Sequence, residues 1–286
     1  MSGGPERVNA TFWLLEAPDS LAQQSRRNPD GTGLGYYDEH GRPVVDKEPL
    51  PAYEDRQFAE AAHELTSRTF IAHVRYASGS PVTLENTQPF EQAERLFAHN
   101  GVIGDLPALE AELGASMSMV RGQTDSERYF ALITKEIERT GDVGEGIVAA
   151  ATWIADNLPV FAINCVLITE SDVWALRYPD VHELHVLERA AGGASGSGSL
   201  EHSSAGRRIR VHSDDLAGMP SVVVASEVMD DDDGWRALES GELLRVGPDL
   251  DVTITTAIDR PPAQPLTLAE LDPRAAESQS PAKQPA

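Results

Sequence analysis

One apolar segment of this chain ends in polar side chains that are suited to ligand binding. Residues 69–76 are rich in Phe, Ile and Val, which is typical of a strand buried on both faces, and Arg75, Tyr76 and Ser78 mark its end. An arginine that leaves a buried strand needs acceptors for its five donors, and its planar guanidinium suits a carboxylate bound through both oxygens. That carboxylate belongs either to an internal salt bridge or to a ligand.

Two motifs further along the chain bear on this choice. Residues 95–98 read as a short strand that ends in His99 and then Asn100-Gly101. On its own, Asn-Gly is most often a tight turn. The run Thr-Asp-Ser-Glu at residues 124–127 begins a helical pattern, and on its own it is a good helix cap. Taken together with Arg75, the two motifs favour a substrate carboxylate as the arginine's partner.

Four motifs in this region carry a specific resemblance. They are HVRYAS, ENTQPF, AHNG and QTDSE, at residues 73–78, 85–90, 98–101 and 123–127. Their order and spacing resemble those of the glutaminase domains of class-II glutamine amidotransferases, which are N-terminal-nucleophile hydrolases. The resemblance extends over residues 18–257, and no synthase or sugar-isomerase domain follows it. The chain is therefore similar to the stand-alone members of that family.

The resemblance implies roles for seven residues. The side-chain amide of Asn100 and the backbone N–H of Gly101 would form an oxyanion hole, which stabilises charge developing on an amide oxygen. The other five would bind substrate: Arg75, Tyr76, Ser78, Asn86 and Asp125. Of these, Arg75 would bind the α-carboxylate of glutamine and Asp125 its α-amino group. Gln88 stands where many related sequences carry histidine, which puts a role for an imidazole there in doubt.

The nucleophile is the part of the family pattern that the sequence lacks. Family members attack the γ-amide with an N-terminal cysteine, whereas this chain begins Met-Ser-Gly-Gly and has only Cys165, inside the apolar run INCVLI. A cysteine buried in a strand is usually inert. We expect the attacking cysteine just upstream of Ser2, with Ser2 itself a weaker candidate. The alternative is an inactive protein that binds γ-glutamyl compounds or amino acids and has a regulatory role.

Composition limits the remaining functions. With a formal charge of −23 and a pI near 4.6, the chain lacks the basic surface that nucleic acids and anionic membranes require. A single cysteine forms no internal disulfide, and no leader or long apolar run is evident, so we expect a cytoplasmic protein. Its partner should be a small molecule, glutamine or a γ-glutamyl compound. The resemblance leaves a homodimer or a synthase partner open.

We predict neither a cofactor nor a metal. The GTGLG run at residues 31–35 lacks the preceding strand and following helix of a dinucleotide loop. His182 and His185 are three apart in a predicted strand and should point to opposite faces. The acidic run at residues 230–233 lacks the bidentate glutamate of a calcium loop and reads as a solvated turn.

The order of predicted elements indicates the fold. Strands, then paired helices, then more strands suit an α+β fold, a four-layer α/β/β/α sandwich of two antiparallel sheets. We expect one domain over residues 1–259, with a mobile Gly/Ser-rich loop at 190–206, and a disordered tail at 260–286. The expected elements are a hairpin over 31–45, a helix over 55–67, paired helices over 125–140 and 143–157, a three-strand meander over 161–188, and strands over 221–226, 242–246 and 251–256.

Overall fold

The computed structural model describes residues 1–191, 200–203, 210–213 and 219–280. Its strands are β1 (Val8–Asn9), β2 (Thr32–Tyr37), β3 (Pro43–Glu48), β4 (Thr66–Ser67), β5 (Phe70–Val74), β6 (Phe90–Gln92), β7 (Arg95–Ile103), β8 (Pro159–Ile168), β9 (Val173–Leu176), β10 (His185–Arg189), β11 (Leu200–Ser203), β12 (Arg210–Ser213), β13 (Ser221–Ala225), β14 (Arg236–Ala237), β15 (Glu242–Val246), β16 (Val252–Thr256) and β17 (Gln264–Pro265). Its α-helices are α1 (Leu21–Gln24), α2 (Arg56–Glu64), α3 (Leu106–Leu113), α4 (Asp125–Thr140), α5 (Val143–Asn157) and α6 (Pro273–Ser278). Shorter π- or 3₁₀-helical turns cover Phe12–Glu16, Leu84–Asn86, Gly114–Met119 and Leu268–Glu270. Within these ranges no helix combines the length and the apolar character needed to span a membrane.

A seven-stranded sheet forms one of the two central layers. Its strands are paired in the order β16-β15-β9-β8-β7-β6, all antiparallel, and β17 adds a short parallel pairing to the start of β8. Strand β8 has the near-continuous apolar sequence of a strand covered on both faces, and most of its residues are buried.

Helices α4 and α5 cover one face of this sheet. Helix α4 begins where the Thr124 hydroxyl accepts the N–H of Glu127, and it ends at Gly141, whose positive φ of 79° is a glycine C-cap. The apolar face of α4 meets the sheet through aromatic rings. Phe130 stacks on Phe97 with ring centroids 4.8 Å apart, and Tyr129 meets the same ring edge-on at 5.4 Å. This packing fixes the start of α4 against β7.

The second β layer consists of two three-stranded sheets, β3-β2-β5 and β13-β10-β14. Within the described residues, the backbone of residues 1–3 bridges them. Met1 exchanges both backbone hydrogen bonds with Phe70, and Ser2 exchanges both with Val222. Beyond this bridge, no strand of the described ranges lies between β5 and β13. The result is a gap in the layer that faces the seven-stranded sheet.

A last layer of short helices closes the outer face of the second β layer. The π-helical turn, α1 and α2 pack there through an apolar cluster that includes Leu14, Leu34, Phe58 and Phe70. Helix α2 is capped by Asp55, whose carboxylate accepts the N–H groups of Gln57 and Phe58. The predicted α/β/β/α sandwich is therefore confirmed, as is the hairpin formed by β2 and β3.

The structure differs from the sequence expectations in three elements. Strand β7 does not stop at residue 98 but runs to Ile103, so Asn100 and Gly101 lie inside a strand rather than in a turn, because β8 pairs with them. The expected meander over residues 161–188 is wrong in its third strand, since β10 crosses into the other layer and pairs with β13.

The third difference concerns the end of the chain. Residues 260–280, expected to be disordered from their composition, form β17, a 3₁₀ turn and α6. Residues 281–286 and most of the 190–206 segment lie outside the described residues, apart from residues 190–191 and the strand β11.

Candidate active site

A cavity of about 790 Å³ lies between the two β layers, at the gap beside β5. The seven residues assigned by resemblance all line it: Arg75, Tyr76, Ser78, Asn86, Asn100, Gly101 and Asp125. They come from the end of β5, the loop after it, the middle of β7 and the start of α4. The fold thus brings residues separated by as many as 50 positions to one surface.

Arg75 is held at the end of β5, and only some of its guanidinium donors are hydrogen-bonded within the described residues. Its backbone pairs with the loop before β2, through Arg75 N to Gly31 O (2.8 Å) and Asp30 N to Arg75 O (2.9 Å). Its Nη2 donates to Ser80 Oγ at 2.8 Å. Its Nη1 is buried and has no hydrogen-bond partner among the described residues, and the whole residue is only 5% exposed.

The internal salt bridge considered for Arg75 is not formed by any carboxylate of the described residues. Burial lowers the pKa of the Arg75 guanidinium, and the charge of Asp30 partly offsets this effect. Arginine remains protonated in proteins even so. A buried charged group with an unsatisfied donor is costly, and an anionic ligand in the cavity would satisfy it.

Asn100 and Gly101 face β8 in regular antiparallel pairing, opposite Asn164 and Ile163. A Cβ on Gly101 would lie well inside van der Waals contact with the Ala162 carbonyl oxygen, so only glycine fits at this approach of the two strands. Among the described residues, none makes a hydrogen bond to the Asn100 side chain. Its amide is therefore available to a ligand.

Gln88 and His99 fix the backbone just before Asn100. The Gln88 side-chain Oε1 accepts His99 N–H at 2.7 Å, and the side-chain Nε2 donates to His99 O at 3.1 Å. The His99 ring contacts Ser126 Oγ at 2.9 Å through Nδ1. Burial lowers the pKa of His99, so its ring is neutral near pH 7. Sequence reasoning noted Gln88 only as a departure from histidine and missed this positioning role.

Asp125 links the start of α4 to β7. One carboxylate oxygen accepts Ile103 N–H at 2.9 Å and the other accepts Ser126 N–H at 2.8 Å. The negative charge also suits the positive end of the helix dipole. The oxygen that accepts Ser126 N–H also accepts the Ser126 hydroxyl at 3.3 Å. The oxygen that accepts Ile103 N–H keeps a further lone pair, so the carboxylate is able to accept from an ammonium group as well. The helix-capping interpretation of this run also holds, through Thr124.

Asn86 lines the cavity, but its own side chain is used within the protein. Its Oδ1 accepts Gln123 N–H at 2.7 Å and its Nδ2 donates to Pro81 O at 3.1 Å. The residue is 2% exposed. These contacts tie the loop after β5 to the segment before α4, so Asn86 positions both walls of the cavity.

Tyr76 and Ser78 lie on the loop that follows Arg75. The Tyr76 ring lies under the Arg274 guanidinium, 5.7 Å from ring centroid to Cζ, and a hydrogen bond with Glu277 raises the pKa of its hydroxyl. Tyr76 thus contacts the C-terminal helix α6, which sequence reasoning did not anticipate.

His73 also lines the cavity, one residue before the end of β5. Its Nδ1 is buried, and none of the residues that the structure describes makes a hydrogen bond to it. Burial, together with the charge of Arg75, lowers its pKa to about 3. The ring is therefore neutral at physiological pH and adds no positive charge beside Arg75.

Neither candidate nucleophile in the described residues is activated. Cys165 lines the cavity but is 3% exposed, and burial raises the pKa of its thiol to about 12, although the Tyr129 hydroxyl lies 3.6 Å from Sγ. Almost no thiolate exists at pH 7 at such a pKa. Ser2 is fully buried in the bridge between the sheets, outside the cavity, and its Oγ accepts Gly4 N–H.

The described residues contain no group of three His, Cys, Asp or Glu side chains arranged to hold a metal ion. The acidic turn after β13 is used internally. Asp230 accepts the indole N–H of Trp235 at 2.7 Å and lies 3.5 Å from an Arg189 guanidinium nitrogen.

Comparison with known sequences identifies the family of this chain. The family model of class-II glutamine amidotransferases matches residues 18–267. The chain is 29% identical over 255 residues to the γ-glutamyl-hercynylcysteine sulfoxide hydrolase of Mycolicibacterium smegmatis, which covers 85% of this chain and 92% of that protein. It is also 29% identical over 257 residues to an uncharacterized protein of Methanocaldococcus jannaschii, covering 84% of this chain and 66% of the archaeal one, just under two thirds of its length.

Solved structures agree on the fold. The glutamine phosphoribosylpyrophosphate amidotransferase of B. subtilis superposes with a TM-score of 0.60 at 20% identity, over 89% of this chain and 48% of that one. A class-II glutamine aminotransferase domain protein from Silicibacter pomeroyi gives a TM-score of 0.54 at 19% identity, over 80% and 92% of the two chains. At these identities the likeness concerns the arrangement of helices and strands.

Proposed function

Because the chain belongs to the class-II glutamine amidotransferases, we propose that its cavity binds the γ-glutamyl group of glutamine or of a γ-glutamyl compound, and that the protein hydrolyses the γ-amide. One observation carries the binding half of this proposal. In the part of the chain that the structure describes, the buried Arg75 guanidinium has no partner at Nη1, and it lines the same cavity as Asp125 and Asn100.

Each end of the ligand meets a group of matching chemistry. Arg75 binds the α-carboxylate, and Asp125 accepts hydrogen bonds from the α-ammonium group. Opposite charges held in a buried site by two different elements select a free amino acid head group, because leaving either charge unpaired is costly. At the other end, the Asn100 amide and the Gly101 N–H donate to the γ-carbonyl oxygen. These donors become more important as negative charge develops on that oxygen.

Hydrolysis also needs a nucleophile. A thiolate adds to the γ-carbonyl, the tetrahedral intermediate expels the protonated amine, and water then hydrolyses the thioester. We propose that this thiol acts from the gap between β5 and β13. A strand that continued the Met1–Phe70 pairing towards the N-terminal side would run along β5 and approach Arg75, since the pairing is antiparallel.

A second function is favoured by the state of the only cysteine. With the Cys165 thiol buried and its pKa raised to about 12, the 286-residue protein binds γ-glutamyl compounds without turning them over. In this alternative the protein is a regulatory binder of amino acids or γ-glutamyl compounds.

The experiment compares three chains. One is the 286-residue protein, one carries an added N-terminal strand designed to place a leading cysteine opposite Arg75, and the matched control has serine in place of that cysteine. Ammonia release from L-glutamine and nitroaniline release from γ-L-glutamyl-p-nitroanilide are measured. We expect turnover only in the cysteine-led chain, with Asn100→Ala lowering its kcat about a hundredfold or more.

Other outcomes assign the function differently. Glutamine binding without turnover in the cysteine-led chain favours the regulatory binder. Ammonia release by the 286-residue protein that Ser2→Ala abolishes would make Ser2 the nucleophile and contradict the proposal.

A further inference from the structure

A C-terminal segment forms part of the cavity wall. The chain is first anchored on β8, where β17 pairs with Pro159 and Val160, and Leu266 N donates to Val160 O at 2.8 Å. Residues 272–280, named here the strap, then form α6 and the turn after it. Three consecutive strap residues, Ser278, Gln279 and Ser280, line the cavity.

One end of the strap contacts the structure around Arg75. Arg274 lies 3.2 Å from Asp30 Oδ2, and the same oxygen accepts Ala77 N–H at 2.8 Å. Asp30 is in turn hydrogen-bonded to the Arg75 backbone. Arg274 also lies over the Tyr76 ring. The strap thus contacts both the loop before β2 and the loop that follows Arg75.

The other end of the strap contacts the structure beside Asn100. The Gln279 side-chain Oε1 lies 2.7 Å from His182 Nε2. Since an amide oxygen only accepts, His182 Nε2 carries the proton and donates it. The backbone oxygen of His182 accepts from the Asn164 side chain at 3.2 Å, and Asn164 is the direct β-pairing partner of Asn100. The strap therefore connects the carboxylate-binding end of the cavity with the carbonyl-binding end.

The contacts that hold the strap are weak individually. The Arg274 side chain is 58% exposed, and an exposed ion pair contributes little to stability. Only Ala275 and Gln279 of the strap are buried. Segments with few buried side chains open locally at a lower free energy than a protein core.

We propose that the strap sets the substrate specificity of the site. It closes over the γ-glutamyl group, and Ser278, Gln279 and Ser280 occupy the space beside His182 into which the amine part of a γ-amide projects. The substrate class is then γ-glutamyl amides with a small amine part, glutamine among them. This inference rests on the proposed function, because it assumes that the γ-carbonyl lies at Asn100.

The test measures selectivity in the full 286-residue chain. Calorimetry gives the Kd for L-glutamine and for γ-L-glutamyl-p-nitroanilide, whose amine part is large. We expect the parent to prefer glutamine. Gln279→Ala should narrow the ratio of the two Kd values by about tenfold, the effect of one hydrogen bond, and Arg274→Glu by about threefold, since its ion pair is exposed. Arg260→Ala is the matched control, since its ion pair with Asp156 at 2.8 Å lies outside the cavity and both affinities should stay unchanged.

Hydrogen exchange of the unmodified protein gives a second readout that needs no variant. Bound glutamine should slow amide exchange in residues 272–280. The strap proposal would be overturned if both strap variants kept the parent's ratio of Kd values and bound glutamine left amide exchange in residues 272–280 unaltered. The proposed function would still stand if Arg75→Ala weakened glutamine binding in the same experiments. If neither compound binds the parent, the proposed function fails and the strap proposal fails with it.

Discussion

The two β layers of this protein differ in how completely their strands are paired. The seven-stranded sheet is hydrogen-bonded without interruption from β16 to β6, whereas the second layer is two three-stranded sheets joined, within the described residues, by the backbone of residues 1–3. Asn100 and Gly101 lie on the complete layer. Arg75 lies on the incomplete one, at the end of β5. The difference teaches that a fully paired sheet holds the carbonyl-binding groups in place, while the incomplete pairing of the second layer leaves room for the cavity beside Arg75.

The largest expected effect concerns the packing of the complete layer. Phe97→Ala should lower the free energy of unfolding by about 3–5 kcal/mol, because the ring is fully buried between β7 and α4 and its loss leaves a cavity. Val224→Ala, on β13 at the gap, should lower it by less than about 1.5 kcal/mol, since the side chain is only half-buried. Urea denaturation measures both. Equal losses would show that the second layer is packed as tightly as the first.

A smaller effect concerns protonation at the edge of the gap. The pKa of His73 is lowered to about 3 by burial, against about 6.5 in an unfolded chain. Between these values the unfolded chain binds the extra proton, so His73 destabilises the fold increasingly as the pH falls from 6.5 towards 3. Between pH 7 and pH 5, we expect the free energy of unfolding of His73→Gln to fall by about 1–2 kcal/mol less than that of the parent.

The control for that prediction is His40→Gln, in the exposed turn between β2 and β3. It should leave the pH dependence of stability unchanged. Parallel stability curves for the parent and His73→Gln would mean that the His73 ring is solvated through the gap.

Much of the fold followed from local patterns in the sequence. Helix α4 was predicted from its apolar face and its Thr124 cap, and the layer order from the succession of strands and helices. The full length of β7 was not predicted. The turn preference of Asn100-Gly101 is local, whereas the β8 pairing that overrides it is long-range. The departure of β10 into the other layer has the same cause, since an apolar strand pattern does not identify the partner strand.

The site was predicted to a similar extent. The grouping of Arg75, Asn100 and Asp125 came from resemblance, and all three line one cavity. Two contributions had no signal in the sequence. Gln88 holds the His99 backbone through hydrogen bonds that form only in the folded state. The strap belongs to a segment whose composition is that of a disordered tail.

The central claim is that Arg75 binds the carboxylate of a γ-glutamyl ligand, and calorimetry with L-glutamine tests it most directly. Arg27 is a matched control, because it lines the same cavity but its guanidinium is already paired with Asp19 at 3.1 Å and Glu227 at 2.6 Å. We expect Arg75→Ala to weaken binding by about 2–5 kcal/mol, the range for breaking a buried charge pair, and Arg27→Ala to change Kd by less than about threefold. Equal affinities for the parent and Arg75→Ala would contradict the claim, and the assignment of this cavity as a glutamine site would fall with it.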